Sequence, residues 1–246
     1  MLTEHASDRR DYSFTETNSY AEAVKLMQTG YDQAAKLLKR TVKDQAKINS
    51  EKFMALEHPR PHNAIVGYIP NVPNAIRNIP QSMISVDRKP MKRKTLSIVY
   101  AETGNCCKKT EYFINAGAAL LSAVELIERS GIQTQIDLVF MATLERDEFC
   151  FPTVRIKRYD ERYSFQKVSF PLVHPSMFRR IGFKWLETTP DITESEFHNG
   201  YGHAPSYQQF MDNVKLPENC YFLDTETITE NGCSVDYILK KLEVIK

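Results

Sequence analysis

Clusters of cations, one of them interleaved with aromatic residues, are the feature of this sequence with the most evident chemistry. They occur in a short basic run near residue 93, in a segment from 155 to 167, and in a predicted helix around residues 179–184. Aromatic rings can stack on the bases of single-stranded nucleic acid while the cations contact its phosphates. The same charges also suit a solvated connector or a protected sheet edge. The candidate nucleic-acid-binding residues are Lys92, Arg93, Lys94, Arg155, Lys157, Arg158, Tyr159, Tyr163, Lys167, Arg179, Arg180 and Lys184.

A second basic surface is predicted near the start of the sequence. Residues 14–57 carry apolar positions at helical spacing on both sides of Gly30, which indicates a helical pair or hairpin. The outer surface of the second helix is basic. Such a stripe is typical of a solvated helix face, and it also suits a phosphate backbone. Its members are Lys36, Lys39, Arg40, Lys43 and Lys47.

The composition bounds the function without identifying it. The 246 residues carry a formal net charge of +1, so nucleic-acid binding would need a local basic patch. The spacing shows no Ser-His-Asp or Cys-His set, no paired carboxylates and no glycine-rich phosphate loop. Five cysteines without a Cys-x-x-Cys pair favour free thiols in a reducing cytoplasm. No apolar run is long enough to predict a membrane span. We therefore expect a cytoplasmic binding protein, without a membrane partner, rather than an enzyme.

The segment 95–145 predicts the centre of the fold. Apolar runs over 96–100 and 136–141 flank a long helix pattern, which is typical of a strand, helix, strand unit with parallel strands. Ligands of such sheets bind beyond the carboxyl ends of the strands, so the loop 101–110 becomes a candidate site. Asp224 ends the last predicted strand, and we expect it at the same edge of the sheet.

The sequence after residue 145 predicts further strands and helices of the same domain. Alternating residues over 154–158 and 165–170 predict a hairpin or a pair of edge strands. Helical spacing resumes after Ser176, and an amphipathic helix over 234–246 is expected to pack its apolar face on the sheet. These elements predict an α/β domain over 95–246.

Residues 58–94 differ in character from the rest of the sequence. They contain six prolines and no sustained period, which predicts an extended, ordered lead-in without helix. Its many apolar residues, such as Val66 and Ile76, are expected to pack across the main domain or a partner. The predicted organisation is therefore an N-terminal helical segment over 1–57, a proline-rich extended lead-in over 58–94 and the α/β domain.

Three stretches carry a resemblance to a known family. "VGYIPNVPNAIRNIPQSMI", "INAGAALLSAVELIERSG" and "HPSMFRRIGFKWLE" resemble an uncharacterised family of tailed-phage proteins, over about residues 65–246. That family has a von Willebrand factor A-like core behind a proline-rich lead-in, and the element order over 95–246 is similar to that domain. The resemblance implies an α/β fold with a doubly wound (von Willebrand A/Rossmann-like), mainly parallel sheet. It also implies a location in the host cell cytoplasm and a phage or host protein partner.

The same resemblance implies a candidate Mg²⁺ site. Von Willebrand A domains commonly hold Mg²⁺ through an Asp-x-Ser-x-Ser loop after the first strand and an Asp after the fourth strand. Here the first Asp position falls on Tyr100, and only Asp224 fits cleanly. Oxygen ligands would then come from Glu102, Thr103 and Asp224. Asp224 is better suited to cap a turn or a helix than to bind a metal ion.

These features leave three expectations for the function. The first is a non-catalytic, phage-type protein without a cofactor that binds single-stranded DNA or RNA, or acts as a transcription or replication accessory. The second is a protein-interaction module that docks through the loops near Glu102 and Asp224, with or without Mg²⁺. The third is a metal-assisted hydrolase that uses the same two carboxylates.

Overall fold

The computed structural model of the chain describes residues 12–49, 61–85, 95–102, 108–144, 148–189 and 204–245. The helices are α1 (Tyr12–Thr15), α2 (Tyr20–Thr29), α3 (Asp32–Asn49), α4 (Val72–Ile76), α5 (Thr110–Arg129), α6 (Phe165–Val173), α7 (Phe183–Thr188), α8 (Tyr207–Asn213), α9 (Thr225–Glu230) and α10 (Val235–Lys241), with a π-helix at Met177–Gly182. The strands are β1 (His62–Ala64), β2 (Ile69–Pro70), β3 (Met83–Ser85), β4 (Thr95–Ala101), β5 (Gln133–Val139), β6 (Ala142–Thr143), β7 (Phe149–Cys150), β8 (Thr153–Lys157) and β9 (Cys220–Asp224). Within these ranges, no helix combines the length and the apolar character that a membrane span requires.

A four-stranded sheet in the order β8-β5-β4-β9 forms the centre of the structure. β4 pairs in parallel with both β5 and β9, and β8 pairs antiparallel with β5, so the sheet is mixed. The strand, helix, strand unit predicted over 95–145 is confirmed, with α5 as the connecting helix. Twelve of the twenty residues of α5 are buried, which explains why the apolar pattern of this helix is long enough to recognise in the sequence.

The two faces of this sheet are covered to different extents. Ile98 and Tyr100 of β4 belong to a core that includes residues of α2, α3, α5, α6, α9 and α10. Val99 and Ala101 alternate with them and meet Phe210 of α8 in a smaller cluster. This alternation is the two-residue period of a strand. The α/β class predicted from the sequence is confirmed.

Residues 165–170 form a helix, so the strand predicted there is wrong. Six consecutive residues, Val168 to Val173, are buried, whereas a half-buried strand would bury every second one. α6 packs against α2, α3 and α5, and this surrounding contact explains why its last six residues are all buried. The predicted hairpin partner, β8, pairs instead with β5 as the edge strand of the central sheet. A short apolar run does not distinguish a strand from a buried helix.

The predicted N-terminal helical pair is confirmed by α2 and α3. Ser19 begins α2 as its N-cap, because its hydroxyl accepts a hydrogen bond from the backbone N–H of Glu22 at 3.2 Å. Gly30 separates the two helices with a positive φ of 84°. Ala23 of α2 and Leu38 of α3 are fully buried in the core that covers the sheet. These helices therefore contribute to the same hydrophobic core as the α/β elements.

Residues 61–85, which we call the 61–85 unit, form a small sheet in the order β1-β3-β2 with α4 beside it. The prediction of an extended lead-in without helix is therefore wrong at α4. Asn71 caps that helix by accepting a hydrogen bond from the N–H of Asn74 at 3.4 Å, and Pro73 lies in its first turn, where its missing N–H costs nothing. The apolar residues of this unit do not pack across the main domain. Val66 is 80% exposed and Ile76 is 77% exposed.

Candidate functional site

Three of the cations predicted to contact nucleic acid are buried. Lys157 is wholly enclosed, and its Nζ lies 2.6 Å from a carboxylate oxygen of Glu128 and 2.7 Å from the carbonyl oxygen of Thr134. Its burial follows from a register shift between β5 and β8, which places both Ile156 and Lys157 towards the core. The sequence prediction assumed regular alternation, which would have exposed one residue of that pair.

Arg179 and Arg180 are the other two buried cations. Arg180 is fully enclosed; its Nε donates to Thr17 Oγ1 at 2.6 Å, and one terminal nitrogen donates to Thr15 Oγ1 at 3.0 Å and to the Thr17 carbonyl oxygen at 2.7 Å. The guanidinium of Arg179 lies 5.9 Å from the ring centre of Phe113. Both arginines belong to the π-helix, whose wider turn shifts the phase of side chains relative to an α-helix. Arg180 fastens the N-terminal segment to the core, and the burial of both arginines keeps them from contacting phosphate.

The predicted cations that remain on the surface are paired with carboxylates. Arg155 bonds Asp137 at 2.9 Å, Arg158 lies 3.2 Å from Asp160, and Lys167 lies 3.3 Å from Glu161. Lys184 lies 3.8 Å from Glu187, and the hydroxyl of Tyr159 is hydrogen-bonded to Ser97. The two pairs whose side chains are both exposed, Arg158 with Asp160 and Lys167 with Glu161, contribute at most about 1 kcal/mol each, but every pair reduces the local positive charge. The remaining candidates, Lys92, Arg93 and Lys94, lie outside the described residues.

The described residues do not fit the implied Mg²⁺ site. Asp224 is the N-cap of α9, and its two carboxylate oxygens accept hydrogen bonds from the N–H and the hydroxyl of Thr227, each at 2.7 Å. Tyr100, at the position of the leading carboxylate, is fully buried and its hydroxyl is hydrogen-bonded to Thr225 at 2.9 Å. Thr103 lies outside the described residues. Within the described ranges, no three His, Cys, Asp or Glu side chains come together as metal ligands.

Glu102 is buried at the carboxyl end of β4. Neither of its carboxylate oxygens has a hydrogen-bond partner among the described residues. Burial raises the pKa of Glu102 well above its usual range, and the positive charge of Arg179 opposes that change in part. A carboxyl in this setting favours the neutral form, which is a poor ligand for a cation. Its environment therefore differs from that of a metal-binding carboxylate.

A groove of about 380 Å³ lies between α3 and the start of α6. We call it the α3 groove. Two lysines of the basic stripe, Lys36 and Lys39, line one side, and the aromatic rings of Tyr163 and Phe165 line the other. The two rings meet edge to face, with their centres 5.3 Å apart. The groove thus joins cations and aromatic rings from segments more than 120 residues apart in the sequence. Its further lining residues are Ala35, Ser164 and Gln166.

Contacts between Gln166 and the turn before α3 hold the two sides of the groove together. The amide nitrogen of Gln166 donates to the carbonyl oxygen of Thr29 at 2.7 Å and to the carboxylate of Asp32. Gly30 lies so close that a Cβ there would be 2.3 Å from the Gln166 carbonyl oxygen. The backbone N–H of Tyr31 also donates to Ser169 in α6, at 2.9 Å. These bonds fix α3 relative to α6 without using the groove's lysines.

The cations of α3 form no close ion pair with a carboxylate in the part of the chain that the structure describes. Lys36, Lys39, Arg40 and Lys43 are exposed, and the described residues give none of them an ion pair. On the aromatic side, the hydroxyl of Tyr163 donates to Glu125 at 2.8 Å. Burial, and then the negative charge of Glu125, raise the pKa of Tyr163, so the phenol stays protonated as a hydrogen-bond donor. The groove therefore combines two lysines, for which the described residues provide no ion pair, with a Tyr163 side chain that is held in place by a hydrogen bond.

The sequence predicted the lysines and Tyr163 of this groove as binding residues, but it did not predict that they line one groove. The stripe that includes Lys36 and Lys39 was predicted as one basic surface, and Tyr163 belonged to another. Phe165 and Gln166 were assigned to a strand, so their place at the start of a helix facing α3 was missed. The only sequence signal for the association is Gly30, whose small size permits the close contact with Gln166.

Comparison with known proteins identifies one protein family. Residues 2–246 match the family described as "Domain of unknown function (DUF7192)". No curated protein and no solved structure matches the chain.

Proposed function

The chain belongs to this family of unknown function, and we propose that it binds single-stranded nucleic acid through the α3 groove. One observation carries the proposal: the exposed Lys36 and Lys39 line the same open groove as Tyr163 and Phe165. Proteins that bind single strands combine a positive groove along the backbone with aromatic rings on which bases stack. The α3 groove has both parts within one site.

The arrangement favours single strands over a duplex. Tyr163 and Phe165 line a recess, and an unstacked base of a single strand could enter it to stack on an aromatic ring. Arg40 and Lys43 continue the positive charge along α3 beyond the groove. A strand that places one base in the groove can therefore continue along α3 with its phosphates near these cations.

The low net charge of the protein means that local contacts determine the affinity for nucleic acid and its salt dependence. With a net charge of +1, the chain has little long-range attraction for nucleic acid, so binding rests on the local contacts. For single strands, the logarithm of affinity falls with the logarithm of salt concentration by about 0.7 per neutralised phosphate. Two to four contacts by the α3 cations would give slopes of about −1.4 to −2.8.

Charge-reversal variants test the proposal. Lys36→Glu combined with Lys39→Glu should abolish binding of a fluorescent single-stranded DNA or RNA oligonucleotide, measured by anisotropy at low salt. Lys215→Glu combined with Lys240→Glu is the matched control, since these exposed lysines lie outside the groove lining and the change in net charge is the same. Equal losses in both double variants would show that overall charge, not the groove, determines binding. Absence of any complex for the unsubstituted protein would refute the proposal.

We also propose that the core is related to the von Willebrand factor A domain of a phage-type protein. In support, β4 pairs in parallel with both β5 and β9. The helix α5 connects β4 to β5, and Asp224 ends β9. Docking or hydrolysis through Glu102 and Asp224 has less support, because Glu102 is buried and the oxygens of Asp224 are bonded to Thr227.

A further inference from the structure

The 61–85 unit exposes large apolar side chains to an extent that the rest of the described structure does not. Seven of the thirteen large hydrophobic residues that are substantially exposed lie between residues 65 and 79. The four most exposed of all thirteen are in this set, at 60% to 80%. Concentrated exposure of this kind marks an interaction surface, whereas scattered exposed hydrophobics are ordinary. The seven are Ile65, Val66, Tyr68, Ile69, Val72, Ile76 and Ile79.

The 61–85 unit also lacks a core of its own. No residue of β1, β2, β3 or α4 is buried. Its strands are nonetheless paired, with β3 antiparallel to both neighbours and Gly67 packed closely against Ile84. A small sheet needs a hydrophobic face packed against something to be stable in water. Such a unit resembles half of a hydrophobic core, and its apolar residues require a covering surface.

The charge of the unit restricts what that surface is. Residues 61–85 contain one formal cation, Arg77, one histidine, His62, and no carboxylate. A nucleic acid would require several cations here, and a strongly charged protein partner would find almost no opposite charge. An uncharged apolar face can pair with an identical face without like-charge repulsion. Permanent homodimer interfaces have this character, because they resemble a domain core cut in half.

The exposed apolar area matches the lower limit of a stable dimer. Taking about 100 Å² for a fully exposed large apolar side chain, the seven residues offer roughly 400 Å² per copy, or about 800 Å² for two. Homodimer interfaces are about 65% apolar, so this corresponds to a total interface of roughly 1,200 Å². Specific interfaces begin at about that size.

We infer that the 61–85 unit is a homodimerisation surface that pairs with the same unit of a second copy of this chain. The commonest arrangement for such a contact is a two-fold axis, across which the same patch is used by both copies. The dimer places two α3 grooves in one particle. Because the grooves lie outside the 61–85 unit, dimer formation and groove binding are separable.

Measurement of the mass of the full chain in solution tests this inference. Light scattering after size exclusion, or sedimentation velocity, should give twice the chain mass of 28.4 kDa over a wide concentration range. Val66→Asp combined with Ile76→Asp should shift the protein to the monomer mass. Met27→Asp combined with Val154→Asp is the matched control, since these residues are 43% and 41% exposed outside the unit, and it should stay dimeric.

A second measurement covers the case in which the Val66 and Ile76 variant disturbs the unit's own fold. A photoreactive group placed at Tyr68 in a mixture of isotopically light and heavy chains should form light-to-heavy cross-links within residues 61–85. A monomer mass for the unsubstituted chain at every concentration would overturn the inference and leave the surface to a different protein. A dimer that persists in the Val66 and Ile76 variant, or cross-links that fall outside the unit, would also overturn it.

Discussion

Acidification should destabilise this protein through His174, which packs where the start of α3 meets the end of α6. Its ring lies 5.0 Å from that of Tyr31 and 5.1 Å from that of Phe170, and its Nδ1 accepts a hydrogen bond from the N–H of Ser176 at 3.2 Å. Burial lowers the pKa of His174 to about 4, and the negative charge of Glu22 opposes this in part. The folded protein therefore holds the neutral imidazole, while the unfolded chain binds a proton near pH 6.5.

The sign and size of the effect follow from these two pKa values. Because the pKa of the folded state is depressed, the stabilisation is complete above about pH 6.5 and is lost as the pH falls towards 4. Each unit below 6.5 costs about 1.4 kcal/mol, so the free energy of unfolding should fall by roughly 2 kcal/mol between about pH 7.5 and pH 5. His174→Asn keeps a hydrogen-bond acceptor near Ser176 but removes the titrating group.

Urea unfolding followed by circular dichroism at the two pH values measures this contribution. The His174→Asn variant should be less stable at pH 7.5, because it loses ring contacts, but its stability should fall by about 2 kcal/mol less than that of the unsubstituted protein on acidification. His62→Asn, at an exposed histidine, is the matched control and should behave as the unsubstituted protein does. An identical pH dependence for His174→Asn would refute the reasoning.

Two further substitutions test the buried carboxyl and the wall of the groove. Glu102→Gln should raise the free energy of unfolding at neutral pH, because the raised pKa makes the carboxyl costly to ionise, and the gain should vanish below about pH 4.5. A loss of stability at neutral pH would show that the carboxylate is held by a partner. Gly30→Ala should cost about 1 kcal/mol or more, from the positive φ and the contact with the Gln166 carbonyl oxygen. Gly131→Ala has a similar φ of 88° but open space around the Cβ, so an equal loss in thermal or urea unfolding would exclude a role for the contact.

The sequence predicted those parts of the fold in which a pattern is long and local. The helix α5 and its flanking strands β4 and β5 were recognisable because twenty residues of helical period separate two apolar runs. The short run at 165–170 was assigned wrongly, since packing against three other helices decides its structure. Its correct assignment is also what places Phe165 in the α3 groove.

The candidate site was less predictable than the fold because non-local contacts create it. A basic residue in the sequence does not reveal whether its charge is exposed: Lys157 is buried by a register shift and Arg180 by the phase of a π-helix. In contrast, Lys36 and Lys39 were identified as a stripe, but their aromatic partners lie more than 120 residues away. The exposure of the 61–85 unit was likewise invisible, since apolar composition alone predicts burial.

The salt dependence of single-strand binding tests the central claim most directly. The affinity of the full chain for a fluorescent oligonucleotide should fall linearly on a double-logarithmic plot of salt concentration. Lys36→Gln combined with Lys39→Gln removes two cations while keeping polar side chains of similar reach, so it should make the slope shallower by about 1.4. Lys215→Gln combined with Lys240→Gln should leave the slope unchanged. Binding without a salt dependence, or an equal slope in the groove variant and the unsubstituted protein, would contradict a phosphate-binding α3 groove.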